Sequence, residues 1–372
     1  MIMHKVSLMA LVLAWMVGAI AWGQAQAPPA TQPAGNATPM ERIATFITED
    51  SVSVIKLDLP KADLKAAEDW LKGFIEAAEP DPQLRQTQIN SLHQQAQAVQ
   101  TWAGNMRQAG VTDVYAIFNR QARPAQGEQA GQGQQEEVLA ATIVIPLKPG
   151  DQAQQIQDLL LPKNQPNVEA PGQQPGTAVI REAVVLAPQA TLDRLQQPGK
   201  GDFQTLQRAM ASVEGSAIEL ALMPSDKMKQ AAGGLVEQVG ANLPQGVTQD
   251  DLKTLWQDPQ WAAVGLDTPP RQALKVVVQA SNPQAAQSMS ATVDKLLNAA
   301  KQNKEWAGRM PNLEQAMNLL KPTAVGDRLT MTLNPQQMDQ LFKESVAAAV
   351  RNARSEQPIR AGEMPQEQQP RR

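Results

Sequence analysis

The sequence predicts an α+β protein made of two tandem ferredoxin-like (split βαβ) modules with extra helices, and three observations predict it. The chain has 372 residues, which at roughly 150 residues per domain suggests two domains. Hydrophobic residues make up 42% and aromatic residues only 3%, so the cores must be aliphatic and Met-rich. Short apolar or alternating runs, which read as strands, are interleaved with segments of helical period. The same order of elements occurs twice.

In the first half, Ser51 to Leu59 is rich in Val, Ile and Leu and reads as a strand. Pro60 breaks it and suits the first turn of a helix. Leu64, Ala67, Leu71, Phe74, Ile75 and Ala78 then share one helix face, which Pro80 and Pro82 end. A second helix carries Ile89, Leu92, Ala96, Val99, Ala103 and Met106 at steps of three and four, and Gly110 is its C-cap. Val114–Phe118 and Val138–Leu147 read as strands around a Gln/Gly-rich loop. Pro149 opens a helix, Ala178–Leu186 reads as a fourth strand, and Pro188 opens a short helix ahead of Phe203–Met210.

The second half repeats this programme. Its strands are Ser216–Met223, Trp261–Leu266, Ala273–Ala280 and Arg328–Leu333, with Pro283 opening the long helix and Asn334-Pro335 the last one. The stretch Val184–Gln189 matches Met331–Gln336, and Ile143–Pro149 matches Val277–Pro283. Each is a strand running into a helix that starts with Pro. Stripped of its doubled helix, each half reads β-α-β-β-α-β, the split βαβ order, with four antiparallel strands and helices on one face. The halves would either pack face to face or share a continuous sheet.

The ends read differently. Residues 1–25 are a secretory signal: His4-Lys5 start it, Val6–Ala21 is apolar, and Gly23-Gln24-Ala25 offers a processing site before Gln26. The rival reading is an uncleaved anchor, although the apolar run is shorter than the roughly 20 residues of a spanning helix. Residues 26–44 are a Pro/Ala-rich linker, 45–213 the first module, 214–354 the second, and 355–372 a disordered tail. The expected location is periplasmic or extracellular, with no stable membrane span after signal cleavage.

Composition narrows the chemistry. The net charge is −4 and no basic block is present, which disfavours nucleic acid. With no Cys there is no disulfide, thiolate nucleophile, Cys-ligated metal or lipid-modified Cys. The mature chain would keep one His, His93, which reads as a boundary residue beside an apolar stripe. No nucleophile elbow, Walker A sequence or dinucleotide fingerprint occurs; Gly199-Lys200-Gly201 and Gly131-Gln132-Gly133 lack the required context. Carboxylates remain as candidates. Asp58 and Asp63 flank the first strand-to-helix turn, Glu136-Glu137 begin a strand, Asp250-Asp251 precede a short helix as cap candidates, and Asp267 follows a strand. Trp70, Trp102, Trp256, Trp261 and Trp306 read either as core residues or, if exposed, as a sugar or peptide surface.

The stretches Phe46–Asp58 and Trp261–Asp267, set in an exported, duplicated α+β chain, resemble uncharacterised exported bacterial proteins. The resemblance implies no activity and transfers no site residue. Two functional readings follow. The preferred one is a non-enzymatic binding or scaffold protein of the cell envelope, with an unidentified protein or envelope partner and with no cofactor, metal or catalytic residue assigned. The alternative is an exported hydrolase using Asp/Glu carboxylates, with or without a divalent metal. It predicts that two or more carboxylates from different strands converge within hydrogen-bond or metal-ligand reach, and it fails if Asp58, Asp63, Asp250, Asp251 and Asp267 are all scattered and solvated.

Overall fold

The computed structural model describes residues 39–343 apart from 80, 125–134, 149, 162–174, 198–200, 240–242, 244–245 and 303–312. The segment read as a signal, most of that read as a linker, that read as a disordered tail, Pro149 and Trp306 lie outside the described residues. The chain is α+β. Its strands are β1 (Ser51–Asp58), β2 (Asp113–Pro124), β3 (Gln135–Pro146), β4 (Pro175–Ile180), β5 (Ala183–Pro188), β6 (Ile218–Leu222), β7 (Pro259–Asp267), β8 (Ala273–Ala280), β9 (Thr323–Val325) and β10 (Arg328–Leu333). They form one antiparallel sheet in the order β4-β5-β3-β2-β1-β6-β7-β8-β10-β9.

This order corrects the split βαβ expectation. A split unit places another strand between the two strands that a helix connects. Here β1 and β2 are joined through two helices and pair directly. Each half also has five strands rather than four. The segment Ala178–Leu186, expected as one strand, is the hairpin β4–β5 turning at Arg181-Glu182. Arg181 has φ 54°, a conformation rare for a residue with a side chain. In the second half the equivalent turn, between β9 and β10, is Gly326-Asp327, where Gly326 takes φ 59° without steric cost.

The pairing registers of the two halves coincide. In the first, Leu57 pairs with Val114 and Ile145 with Val184, and the Tyr115↔Val144 register of β2 and β3, extended by one residue, aligns the two pairs into one row. In the second, Leu222, Ala262, Val278 and Leu329 form the same row across β6, β7, β8 and β10. The next row matches too: Ile55, Ala116, Ile143 and Leu186 against Leu220, Val264, Val276 and Met331. This correspondence equates Ile145 with Val278 and Val184 with Leu329. The stretches matched by sequence are therefore displaced by a residue or two from their structural counterparts.

The halves meet where β1 and β6 pair, from Ser53↔Leu222 to Leu57↔Ile218. Across this joint Lys56 Nζ lies 3.2 Å from Glu219 Oε1, and it also lies 3.8 Å from Asp113 on β2. Gly265 of β7 sits opposite Glu219, and a Cβ there would lie 2.5 Å from Ser216 Oγ. The missing side chain lets the 213–216 turn approach closely, and Gly215 N–H donates to Glu219.

The helices are α1 (Pro39–Ile43), α2 (Leu64–Ala78), α3 (Pro82–Gln108), α4 (Ala153–Leu160), α5 (Gln189–Leu195), α6 (Phe203–Ala211), α7 (Asp226–Val239), α8 (Gln249–Gln257), α9 (Pro283–Gln302) and α10 (Leu313–Leu319); residues 335–343 are also helical. Ile43 and Met40 of α1 belong to the core, so the fold begins inside the stretch read as linker. Because side chains alternate across a strand, each strand serves two faces. On the front face Val54, Tyr115, Ile117, Val144 and Val185 pack against Phe46, Leu192 and Leu195 of α5, and Leu206 and Met210 of α6. On the back face Leu57, Val114, Ile145 and Val184 pack against Ala103 and Met106 of α3 and Ile156 and Leu160 of α4.

The second half is dressed differently. Its back face carries α7, α8 and α9, where Ala285, Ala286 and Met289 of α9 pack on Leu329 and Ala280. On the front face α6 reaches β6 and β7, but along β10 Thr332 and Arg328 are exposed. Arg328 lies over the Trp261 ring at 5.8 Å. Phe342, in the helix over 335–343, crosses to the first half and stacks on Trp70 and Phe74 of α2 with centroids 4.2 and 5.2 Å apart.

Candidate functional site

The back face of the second half holds a cavity of about 380 Å³. Four strands supply its floor: Leu222 of β6, Ala262 of β7, Val276 and Val278 of β8, and Leu329 and Met331 of β10. Met228 of α7, Leu255 and Trp256 of α8, and Met289 and Val293 of α9 supply its wall. Its volume falls within the roughly 300–1000 Å³ of small-molecule sites, and its lining is almost wholly apolar. Among the described residues its lining offers few hydrogen-bond partners, so water inside it is weakly held. Its one cation, Lys229, is held by the Gln257 carbonyl at 3.0 Å. Trp256 is 54% exposed, so one of its edges faces solvent and another the cavity.

The candidate carboxylates divide into two groups. Asp58, Asp63 and Asp267 come to the same end of the sheet. Asp58 accepts from Lys61 N–H and pairs with Lys61 Nζ at 3.1 Å. Asp63 is the N-cap of α2 and accepts from Ala66 N–H at 2.9 Å. Asp267 accepts from Ala217 N–H at 2.9 Å, tying β7 to the chain entering β6. Asp250 and Asp251 are elsewhere, at the start of α8. Asp251 forms a capping box with Thr248 and pairs with Lys295 of α9 at 2.6 Å. Those bonds hold its carboxyl down to about 2. Asp250 is open to solvent, 4.0 Å from Lys253. Glu136 and Glu137 lie in β3 opposite Arg123 and Ala122. Among the described residues no three of these carboxylates gather into a metal-binding group, and four of the five aspartates are engaged in hydrogen bonds that shape turns and helix ends.

The strongest electrostatic feature was invisible in the sequence. Glu219 is buried to 2% exposure between Lys56 and Gly215 N–H. Burial pushes its carboxyl above the usual range, outweighing the pull of Lys56. Burial also raises the neighbouring Tyr115 hydroxyl, with Asp113, Glu219 and Asp58 adding to the effect. Only the β1–β6 pairing brings these residues together. No spacing within either half could have shown it.

His93 bridges two helices. Its Nδ1 lies 2.7 Å from Glu68 Oε1, and this bond does most to hold the Glu68 carboxyl low. Trp261 is buried and Trp102 packs against the back-face core, so of the described tryptophans Trp256 has the best access to a ligand. Among the described residues no three metal-ligating side chains cluster, and no helix is long and apolar enough to cross a membrane. Fold and site together define an α+β protein with one ten-stranded antiparallel sheet and an apolar cavity under half of it. Comparison with protein-family models, curated proteins and solved structures finds no match.

Proposed function

We propose that this chain is a non-enzymatic binding protein of the cell envelope, periplasmic or extracellular, which takes an apolar ligand such as an acyl chain into the cavity of its second half. The observation that carries the reading is the cavity itself: preformed, apolar, of ligand size, with Trp256 at its rim. The signal-like residues 1–25 support export. The hydrolase alternative is weakened because four of its five candidate carboxylates are engaged in capping and turn bonds. We also read the halves as a duplication of one β-αα-ββ-α-ββ unit, supported by the two matching cross-strand rows.

A quenching fatty acid tests the reading. Dibromostearate should quench tryptophan emission saturably, non-brominated stearate should compete, and Trp256→Phe should remove most of the quenched signal. Quenching that rises linearly without saturating, or that is unchanged in Trp256→Phe, would overturn it.

A further inference from the structure

A second recess lies at the other end of β7, on the seam between the halves. It is a cleft of about 430 Å³. Separate elements line it: the turn between β1 and α2 (Lys61, Asp63), the first turn of α2 (Lys65), α3 (Arg107), and the connection from β7 to β8 (Thr268, Arg271). Asp63 N–H donates to Thr268 Oγ1 at 3.0 Å, fastening the two sides of the cleft to each other. Prolines in both loops restrict their backbones.

Among the described residues the lining carries four cations and one carboxylate, whereas the chain as a whole is acidic at −4. The carboxylate, Asp63, is committed to capping α2. Lys61 is paired with Asp58, and Lys65 with Asp69 and Glu68. The two arginines are different. Arg107 donates from Nε to the Ala103 carbonyl at 3.3 Å, and among the described residues its two terminal nitrogens have no hydrogen-bond partner. Neither Arg107 nor the exposed Arg271 forms an ion pair with a described carboxylate. Two guanidinium forks facing one cleft suit an oxyanion that accepts bidentate bonds, and flanking lysines add point charge. The cleft is much larger than one phosphate, so the group recognised belongs to a larger molecule.

We propose that this seam cleft binds a phosphate-bearing anion through Arg107 and Arg271. The anion belongs either to a soluble phosphorylated molecule or to a phospholipid headgroup. The proposal is independent of the apolar cavity, which lies at the opposite end of the strands.

Pyrophosphate titrated into the purified protein by calorimetry is the first probe, and flotation with phosphatidic acid in phosphatidylcholine vesicles is the second. Saturable binding in either arm supports the proposal. Binding in the vesicle arm alone assigns the phosphate to a headgroup, and binding in the pyrophosphate arm assigns it to a soluble molecule. Arg107→Gln and Arg271→Gln should each weaken binding about tenfold, as expected for loss of a charge-assisted pair. Lys72→Gln, on α2 and paired with Glu76 away from the cleft, should leave binding unchanged. Absence of saturable binding in both arms, insensitivity to both arginine variants, or an equal loss in Lys72→Gln would overturn the proposal.

Discussion

Leu57 of β1 and Leu222 of β6 each open a cross-strand row, one in the first half of the sheet and one in the second. Leu57 is 6% exposed and lies under helices that reach the sheet, where Met106, Ile156 and Leu160 are fully buried. Leu222 is only half-buried and forms the floor of a cavity. Each row is apolar throughout, so the floors alone do not account for the contrast. The covering helices do. The helix α3 has 27 residues, about 40 Å at 1.5 Å per residue, and it enters the core through Ala103 and Met106 near its C-terminal end, where α4 adds Ile156 and Leu160. Its counterpart α8 has 9 residues, about 14 Å, and ends at the exposed Trp256. The first half is therefore packed on its back face, and the second keeps a cavity there. Apolar floor residues that would complete a core in one are left available to a ligand in the other.

This contrast is open to direct attack. The largest effect should come from Leu57→Ala, which empties a packed site and should cost about 4 kcal/mol in urea denaturation. Leu222→Ala, at the equivalent position, should cost only about 1 kcal/mol, because much of that side chain already faces open space. Equal losses would erase the distinction between the halves. Next is the joint between them. Lys56→Met leaves Glu219 buried without its cation and should cost about 3 kcal/mol, and adding Glu219→Leu should recover most of the loss. Recovery would identify desolvated charge, rather than lost packing, as the cause. If the joint makes the sheet one cooperative unit, far-UV and tryptophan signals should report one coincident transition.

The smallest effect concerns the cavity's wall, where Asp251 ties α8 to α9. Its folded carboxyl lies at about 2, below the ordinary 3.8. A depressed carboxyl contributes stability that is present above 3.8 and is lost as pH falls through 3.8 towards 2. Asp251→Asn should therefore flatten the stability profile in that acid window, while above it the variant should be less stable than wild type by a constant amount. Because Lys295 is half-exposed at 48%, the difference should be a fraction of a kilocalorie per mole, by roughly the magnitude of surface pairs.

Much of the fold was legible residue by residue. The alternation of Leu329, Met331 and Leu333 with Thr330 and Thr332 announces a strand with one covered face, and β10 is that strand. The apolar run Ala183–Leu186 lies in a segment that reads as a strand, and in β5 all of these residues are buried, as a strand covered on both faces should be. Gly110, with φ 93°, stands just past the end of α3 as a helix stop should. Other features were not legible. Arg181-Glu182 has no residue that favours positive φ, so a hairpin was read as one strand. Strand order depends on which edges meet in space, and the element sequence β-α-β-β-α-β does not specify that. The cavity left no mark, because Ala262, Val278 and Met289 are ordinary core residues. The space arises from where helices stop, which is not a property of any motif.

The central claim is that the second half is hollow in order to hold something. Ala262 is the smallest residue in the cavity floor, and Phe fits the available volume. Saturable dibromostearate binding, measured on wild type and on Ala262→Phe, tests that claim most directly. The account predicts that Ala262→Phe keeps or slightly raises stability while binding is lost. A stable Ala262→Phe variant that still binds as tightly as wild type would contradict it.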